Sequence, residues 1–88
     1  MNYQLEVDEK LKRIFNKLKR KDKPQAEIIK RRIRKVLENP YQFKPLRGNM
    51  SGIRRTHIGK SFVLTYDILE SKKVVRLLDY AHHDNVYD

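Results

Sequence analysis

The spacing of apolar residues changes near residue 40, and this change limits the chain to a mixed fold. In the first half, Leu11, Ile14 and Leu18 lie three and four residues apart, which is the spacing of one helix face. In the second half, Phe62 and Leu64 follow the two-residue spacing of one strand face. We therefore predict an α+β fold: a strand, a helical hairpin and an antiparallel strand meander, with both helices packed on one face of a small sheet.

Capping and turn residues mark the ends of these elements. Asp8 is a typical helix N-cap, and the Asn39-Pro40 pair ends a helix. Gly59-Lys60 is typical of a two-residue hairpin loop. The predicted elements are a strand at 3–7, helices at 8–21 and 24–38, and meander strands at 53–58, 61–69 and 74–81.

The charge of the chain indicates its kind of partner. The 88 residues are expected to form a single domain spanning 1–88. Lysine and arginine number 21 against 11 aspartate and glutamate, a formal net charge of +10. This excess predicts a polyanionic partner, such as nucleic acid, an acidic protein or an anionic membrane surface. Many of the basic residues lie on the predicted helices, where a solvated helix face is the commoner explanation.

Several classes of protein are excluded by what the sequence lacks. There is no cysteine, so disulfides and thiolate metal sites are excluded. No apolar run approaches the roughly 18 residues of a membrane-spanning helix, and the first ten residues have no signal-peptide character. We therefore expect a cytoplasmic protein without a membrane partner.

Three histidines are the candidate catalytic groups. His57 lies in the first meander strand, and His82 and His83 follow the last one. The first and third strands of a meander run parallel, so these histidines are predicted to lie at the same edge of the sheet. A two-residue loop pairs His57 with Phe62 on the helix-packed face, which makes His57 a weaker candidate than the histidine pair.

A metal site and a pH switch are alternative roles for these histidines. Adjacent side chains of a regular strand point to opposite faces, so His82 and His83 are not expected to bind one ion together. Asp79 or Asp84 would complete a site, but no group of residues has the spacing of a ligand motif. A pH switch needs a bistable element that the sequence does not show. We predict neither a metal nor another cofactor.

Metal-independent RNA cleavage fits these residue types better. RNA supplies its own nucleophile, the ribose 2′-hydroxyl, which must lose a proton while the 5′-oxygen gains one, and imidazoles suit both transfers. Basic side chains stabilise the charge on the phosphate, and a tyrosine such as Tyr87 stacks on a base. The plainer alternative is that His57 is an ordinary strand residue and the histidine pair belongs to a solvated tail.

Two segments carry a family resemblance. The segment "PLRGNMSGIRRTHIGKSFVLTYDI" (45–68) resembles the centre of RelE-superfamily toxins, with a Pro-Leu-x-Gly loop, a basic strand, a tight turn and an apolar strand. The ending "YAHHDNVY" (80–87) resembles their closing motif, a histidine four or five residues before a terminal aromatic. The order of elements is also that of the family, so the resemblance spans nearly the whole chain.

The resemblance implies roles for individual residues, most closely those of the YafQ-like branch. His83 stands where that branch has its main catalytic histidine, and His57 where it has a second active-site histidine. Tyr87 stands at its terminal aromatic, and His82 matches the histidine of other members. The implied catalytic residues are Arg54, Arg55, His57, His82, His83 and Tyr87.

Three positions depart from the family pattern. Lys44 stands in place of a histidine, Ser61 in place of an aspartate, and Val63 in place of an arginine that is catalytic in RelE itself. Nearby basic residues are expected to supply the missing charge. The predicted RNA- and phosphate-binding residues are Lys44, Arg47, Lys60, Ser61 and Arg76.

The resemblance implies the toxin of a type II toxin–antitoxin module that cleaves mRNA in the ribosome. The implied partners are the ribosome, mRNA and an acidic, partly disordered antitoxin that folds on binding. Two alternatives stay open. One is a gyrase-inhibiting toxin of the same fold, like ParE, and the other is a plain basic RNA-binding module.

Overall fold

The computed structural model describes residues 3–46, 48 and 52–85. Its elements are β1 (Gln4–Val7), α1 (Glu9–Lys21), α2 (Lys23–Glu38), β2 (Ile53–Ile58), β3 (Phe62–Leu69) and β4 (Val74–His82). Every predicted element is present, and no boundary differs from its prediction by more than one residue. The α+β prediction is thus confirmed. No helix in the described part of the chain is long and apolar enough to cross a membrane.

Two aspartates fix the helical hairpin. The Asp8 carboxylate accepts a hydrogen bond from the Leu11 N–H at 2.9 Å and so begins α1. Asp22 ends α1, because its N–H donates to the Leu18 carbonyl at 2.8 Å. The Asp22 side chain also begins α2 by accepting from the Gln25 N–H at 3.2 Å. One residue therefore joins the helices, and both are held against the same side of the sheet.

The four strands form one sheet in the order β1-β4-β3-β2. The pairs β2–β3 and β3–β4 are antiparallel, which confirms the meander. β1 pairs in parallel with β4, a pairing that the sequence did not predict. Between Thr65 and Tyr66 the register with β4 shifts, since their partners are Asp79 and Leu77, and Leu78 is the extra residue.

The core lies between the helices and one face of the sheet, which we call the helix face. Its buried side chains come from every helix and from three of the strands: Leu11, Ile29, Val36, Ile58, Leu64, Tyr66, Val75 and Leu77. The buried Tyr66 hydroxyl donates to the Pro40 carbonyl at 2.6 Å. This bond attaches the 3₁₀ turn Pro40–Gln42 to β3, the strand that also pairs with β2.

The β2–β3 hairpin differs from the predicted one. Ile58 pairs with Phe62, and His57 pairs with Val63, so the loop contains three residues, 59–61. Gly59 has a φ of +63°, which favours glycine at the start of this loop. A shift of one residue reverses the faces of a strand. The expected pairing of His57 with Phe62 is therefore wrong, and His57 lies opposite the helix face.

The end of β4 also differs from the prediction. β4 extends through His82, and His83 begins a 3₁₀ turn, His83–Asn85. Since His83 has left the strand, the rule that adjacent side chains point to opposite faces does not apply to the pair. The two imidazole rings are 5.6 Å apart, centroid to centroid. The expectation that His82 and His83 point apart is therefore wrong.

Candidate functional site

Strand register brings the three histidines to one end of the sheet. Ile58, Phe62 and His82 form the last cross-strand row, and His57, Val63 and Ala81 form the row beside it. We call this the histidine end. Because β3 separates β2 from β4, the two histidine-bearing strands lie about 10 Å apart, which is two strand spacings. The prediction that His57 and the histidine pair share an edge is confirmed.

An aromatic layer supports the histidine end from the helix face. The rings of Phe62 and Tyr80 stack with centroids 4.9 Å apart, and Phe15 of α1 meets Tyr80 edge-on at 5.9 Å. Gln25 of α2 donates to the Tyr80 hydroxyl at 2.7 Å. The imidazole of His82 then packs edge-on against Phe62 at 5.5 Å. The backbone that carries the histidines is thus fixed by both helices.

A backbone hydrogen bond joins the histidine turn to the hairpin loop. The His83 N–H donates to the Ser61 carbonyl at 2.8 Å. Lys60 and Ser61 of this loop are exposed, as is the His83 side chain by about half. The bond therefore holds a basic residue, a hydroxyl and an imidazole in one accessible region.

Asp84 lies against both imidazoles of the pair. Its carboxylate oxygens are 3.6 Å from His82 Nδ1 and 3.4 Å from His83 Nδ1. The Asp84 N–H also points at His82 Nδ1, at 3.3 Å. An Nδ1 that accepts a hydrogen bond places the proton of a neutral imidazole on Nε2. The sequence marked Asp84 only as a conceivable extra ligand, because the turn that brings it back is not visible in a strand pattern.

Arg55 shares a strand face with His57, two residues away. Both lie opposite the buried Thr56 and Ile58, on what we call the far face. The Arg55 N–H donates to the Lys44 carbonyl at 3.0 Å, and the exposed Lys44 thereby lies at the outer edge of β2. Along a strand a two-residue step is about 7 Å. The far face thus carries a guanidinium beside an imidazole.

The Arg54 side chain lies on the helix face. Its Nη1 donates to the Phe43 carbonyl at 2.7 Å, and its guanidinium lies 5.1 Å from the Tyr41 ring centroid. Burial raises the pKa of Tyr66 to about 12, and the Arg54 charge opposes this rise. Arg54 therefore holds the segment before β2 against the sheet, and the structure does not bring it to the far face.

Arg76 lies far from the histidines. It forms a two-pronged ion pair with Asp67, with distances of 2.9 Å from Nε and 2.5 Å from Nη2. This pair raises the pKa of Arg76. Six residues separate it from His82 along β4, or about 20 Å. The structure thus separates the predicted phosphate-binding Arg76 from the histidine end.

On the far face, an apolar residue lies between the two histidine-bearing strands. Val63, which replaces the family's arginine, lies between His57 and Ala81 and is 2% exposed. Among the described residues, positive charge near the histidines therefore comes from the neighbouring strand and the hairpin loop. Two further predicted site residues, Arg47 and Tyr87, lie outside the described residues.

These features define a class of protein. A helical hairpin packed on a four-stranded mixed sheet is the architecture that this chain shares with RelE toxins. Residues 2–87 match the family described as ParE toxin of type II toxin-antitoxin system, parDE. The chain belongs to this family and is a toxin of a type II toxin–antitoxin system.

Individual relatives carry the RelE name. The chain is 36% identical over 85 residues to RelE4 of Methanocaldococcus jannaschii, covering 97% of this chain and 90% of that one. The isolated RelE toxin of E. coli superposes with a TM-score of 0.77 at 26% identity, covering 91% and 83% of the two chains. The toxin-antitoxin complex RelBE2 of Mycobacterium tuberculosis gives 0.73 at 20% identity, covering 93% and 99%, which shows the fold alone.

Proposed function

We propose that this toxin is an endoribonuclease that cleaves mRNA in the ribosome by attack of the ribose 2′-hydroxyl. The observation that carries the proposal is the histidine end, where His57 on the far face and His83 beside the hairpin loop flank one end of the sheet. The 2′-oxygen bonds to phosphorus and the 5′-oxygen departs, which leaves a 2′,3′-cyclic phosphate and a 5′-hydroxyl. Translated mRNA is cytoplasmic, so we expect the toxin to act there.

Each group has a proposed part in this reaction. His83 donates a proton to the departing 5′-oxygen, since its half-exposed ring is accessible to RNA. His57 accepts the proton of the 2′-hydroxyl from the far face. Arg55, two residues from His57, binds the scissile phosphate, and the exposed Lys60 adds charge from the loop. Tyr87 is expected to stack on a base next to the cleaved bond.

The reaction is tested with purified ribosomes and a defined mRNA, and the new 5′ ends are mapped by primer extension. We expect His83→Ala to lower the cleavage rate by about 10²–10⁴-fold, the usual contribution of one proton-transfer group. Arg55→Ala should also slow cleavage. Arg31→Ala, which removes an equal charge from an exposed position of α2, should not. Full activity of His83→Ala would contradict the assigned role, and intact mRNA at saturating wild-type toxin would contradict the reaction.

Inhibition of DNA gyrase without RNA chemistry is the second candidate function. It is favoured by Val63, a buried apolar residue where RelE carries a catalytic arginine. A supercoiling assay with purified gyrase separates the two functions. Inhibition that is equal for wild type and His83→Ala, together with intact mRNA, would support the binding toxin.

An acidic antitoxin is the proposed protein partner. RelBE2 is a toxin-antitoxin complex that contains a chain with the same fold as this one. This chain has a groove of about 610 Å³ between its helices. Among the groove residues are the apolar Val7, Phe15, Leu18 and Ile33, three lysines, Lys12, Lys19 and Lys30, and one acidic residue, Glu27. An apolar groove bordered by positive charge suits an amphipathic acidic helix. We therefore propose that the antitoxin binds in this groove.

A further inference from the structure

The ligand atoms of His82, His83 and Asp84 form a compact group at the histidine end. One nitrogen from each imidazole and one carboxylate oxygen all lie within 4.8 Å of one another. Asp84 Oδ2 lies 3.6 Å from His82 Nδ1, and Asp84 Oδ1 lies 3.4 Å from His83 Nδ1. Ligands around a tetrahedral zinc ion are about 3.3 Å apart, given bonds of about 2.0–2.1 Å. Each imidazole is therefore near that spacing from one carboxylate oxygen, and the whole group of three ligand atoms lies within 4.8 Å.

The backbone under this group is fixed, while the side chains stay accessible. β4 holds His82 in register with Phe62, and the N–H of His83 is bonded to the Ser61 carbonyl. The three side chains are between 44% and 74% exposed. An ion from solution thus reaches all three ligands after small side-chain rotations, without any change in the sheet.

The types of ligand select the kind of ion. Imidazole nitrogens suit zinc, copper, cobalt and nickel, whereas calcium and magnesium prefer oxygen ligands. Two imidazoles and one carboxylate leave coordination positions open for water. Such a set binds an ion at the surface and does not enclose it.

We propose that His82, His83 and Asp84 form a binding site for one divalent transition-metal ion, such as Zn²⁺. The bound ion takes a lone pair of the His83 imidazole and occupies the region beside the hairpin loop. It therefore inhibits RNA cleavage instead of assisting it. The proposal that an ion binds is supported by the positions of the three side chains alone. The proposal that the ion inhibits cleavage rests on the proposed ribonuclease function.

Binding is tested first, on untagged protein, without any activity assay. Titration with Co²⁺, followed by visible absorption, should show one saturable site per chain, and Zn²⁺ should displace the cobalt. Asp84→Asn and His82→Gln should each weaken binding at least tenfold, while His57→Gln, which changes a histidine outside the group, should not. No saturable binding by wild type, or undiminished binding by the Asp84 and His82 variants, would overturn the site.

Inhibition is tested second, as the ratio of cleavage rates with and without added Zn²⁺ for each variant. For wild type, added Zn²⁺ should lower the cleavage rate at least tenfold, so that the ratio is about 0.1 or less. For Asp84→Asn the ratio should stay near one. A wild type that binds zinc yet keeps its rate would overturn the inhibitory role and leave the site standing. Absence of cleavage in a buffer that contains Mg²⁺ but no transition metal would contradict the ribonuclease function itself, and the cobalt titration would still decide the site.

Discussion

Thr56 is buried on the helix face, 2% exposed, and within the described chain its hydroxyl has no hydrogen-bond partner. A buried polar group without a partner costs free energy, and valine fills nearly the same volume. We expect Thr56→Val to raise the free energy of unfolding by about 1–2 kcal/mol, the usual penalty for such a group. Urea denaturation followed by circular dichroism measures the change.

Thr65 provides the matched control for this substitution. It is also buried, 7% exposed, but its hydroxyl lies 3.5 Å from the Asp79 carbonyl. Thr65→Val should therefore raise the free energy of unfolding by less than Thr56→Val does, or should lower it. A Thr56→Val variant less stable than Thr65→Val would mean that the Thr56 hydroxyl is satisfied in solution.

The neighbours Arg54 and Arg55 show what could be predicted for single residues. Strand alternation correctly placed them on opposite faces. Which of the two faces the helices depends on the length of the hairpin loop, and the three-residue loop of the structure puts Arg54 on the helix face, where it donates to the Phe43 carbonyl. Both therefore remained candidate catalytic residues at the level of sequence, and of the two only Arg55 shares a face with His57.

At the scale of elements, one glutamate links three separate segments. The hydroxyls of Tyr3 and Tyr41 donate to Glu70 Oε1 at 2.9 and 2.7 Å, and Lys73 pairs with Oε2. These segments are the start of β1, the turn after α2 and the turn between β3 and β4. The cluster therefore fastens the end of the sheet opposite the histidines.

This cluster predicts a pH dependence of stability. The bonds from Lys73, Tyr41 and Tyr3 lower the pKa of Glu70 from its usual 4.5 to about 2. A carboxyl whose pKa is lower in the folded state stabilises fully above its unfolded pKa, and this contribution disappears between pH 4.5 and about 2. Glu70→Gln should thus unfold at lower temperature than wild type at pH 7, and the difference should shrink below pH 4.5.

Thermal unfolding from pH 7 to pH 2 measures both curves. Because Glu70 is exposed, added salt should reduce the difference at pH 7. Glu38→Gln, at an exposed glutamate of α2, is the control and should follow the wild-type pH profile. A constant difference between wild type and Glu70→Gln at all pH values would contradict the ionic origin of the effect.

The hairpin loop shows where element prediction stops. Helix ends and strand centres were predictable, because caps and periodicity are local. The loop length was not, since Ser61 suits either a strand or a loop. In the structure its carbonyl accepts from the N–H of His83, 22 residues later. That long-range bond accompanies the three-residue loop, and the loop turns His57 to the far face.

At the scale of the whole molecule, the sequence predicted the helix layer and the sheet layer, but not the pairing of the first strand with the last. Two amphipathic helices and an alternating meander require a two-layer packing. The parallel pairing of β1 with β4 had no local signal, because it joins residues about 70 positions apart. The meander alone, however, was enough to bring the histidines to one end, since β2 and β4 each pair with β3.

The distribution of charge predicts how the groove would recognise the proposed antitoxin. Three lysines on the two helices, Lys12, Lys19 and Lys30, are among its residues, and all three are exposed. Reversing them together to glutamate should weaken binding of the proposed acidic antitoxin by at least tenfold, because like charges then oppose each other. The remaining affinity should also vary less with salt, as screening acts on fewer attractions.

The matched control reverses Lys17, Arg20 and Arg31, which are exposed on the same helices but do not line the groove. Both triple variants change the net charge equally, so a purely global attraction would weaken binding equally in the two. Isothermal titration at several salt concentrations compares them. Equal losses would place recognition in the overall field of the molecule, whereas a loss confined to the groove variant assigns it to the lysines between α1 and α2.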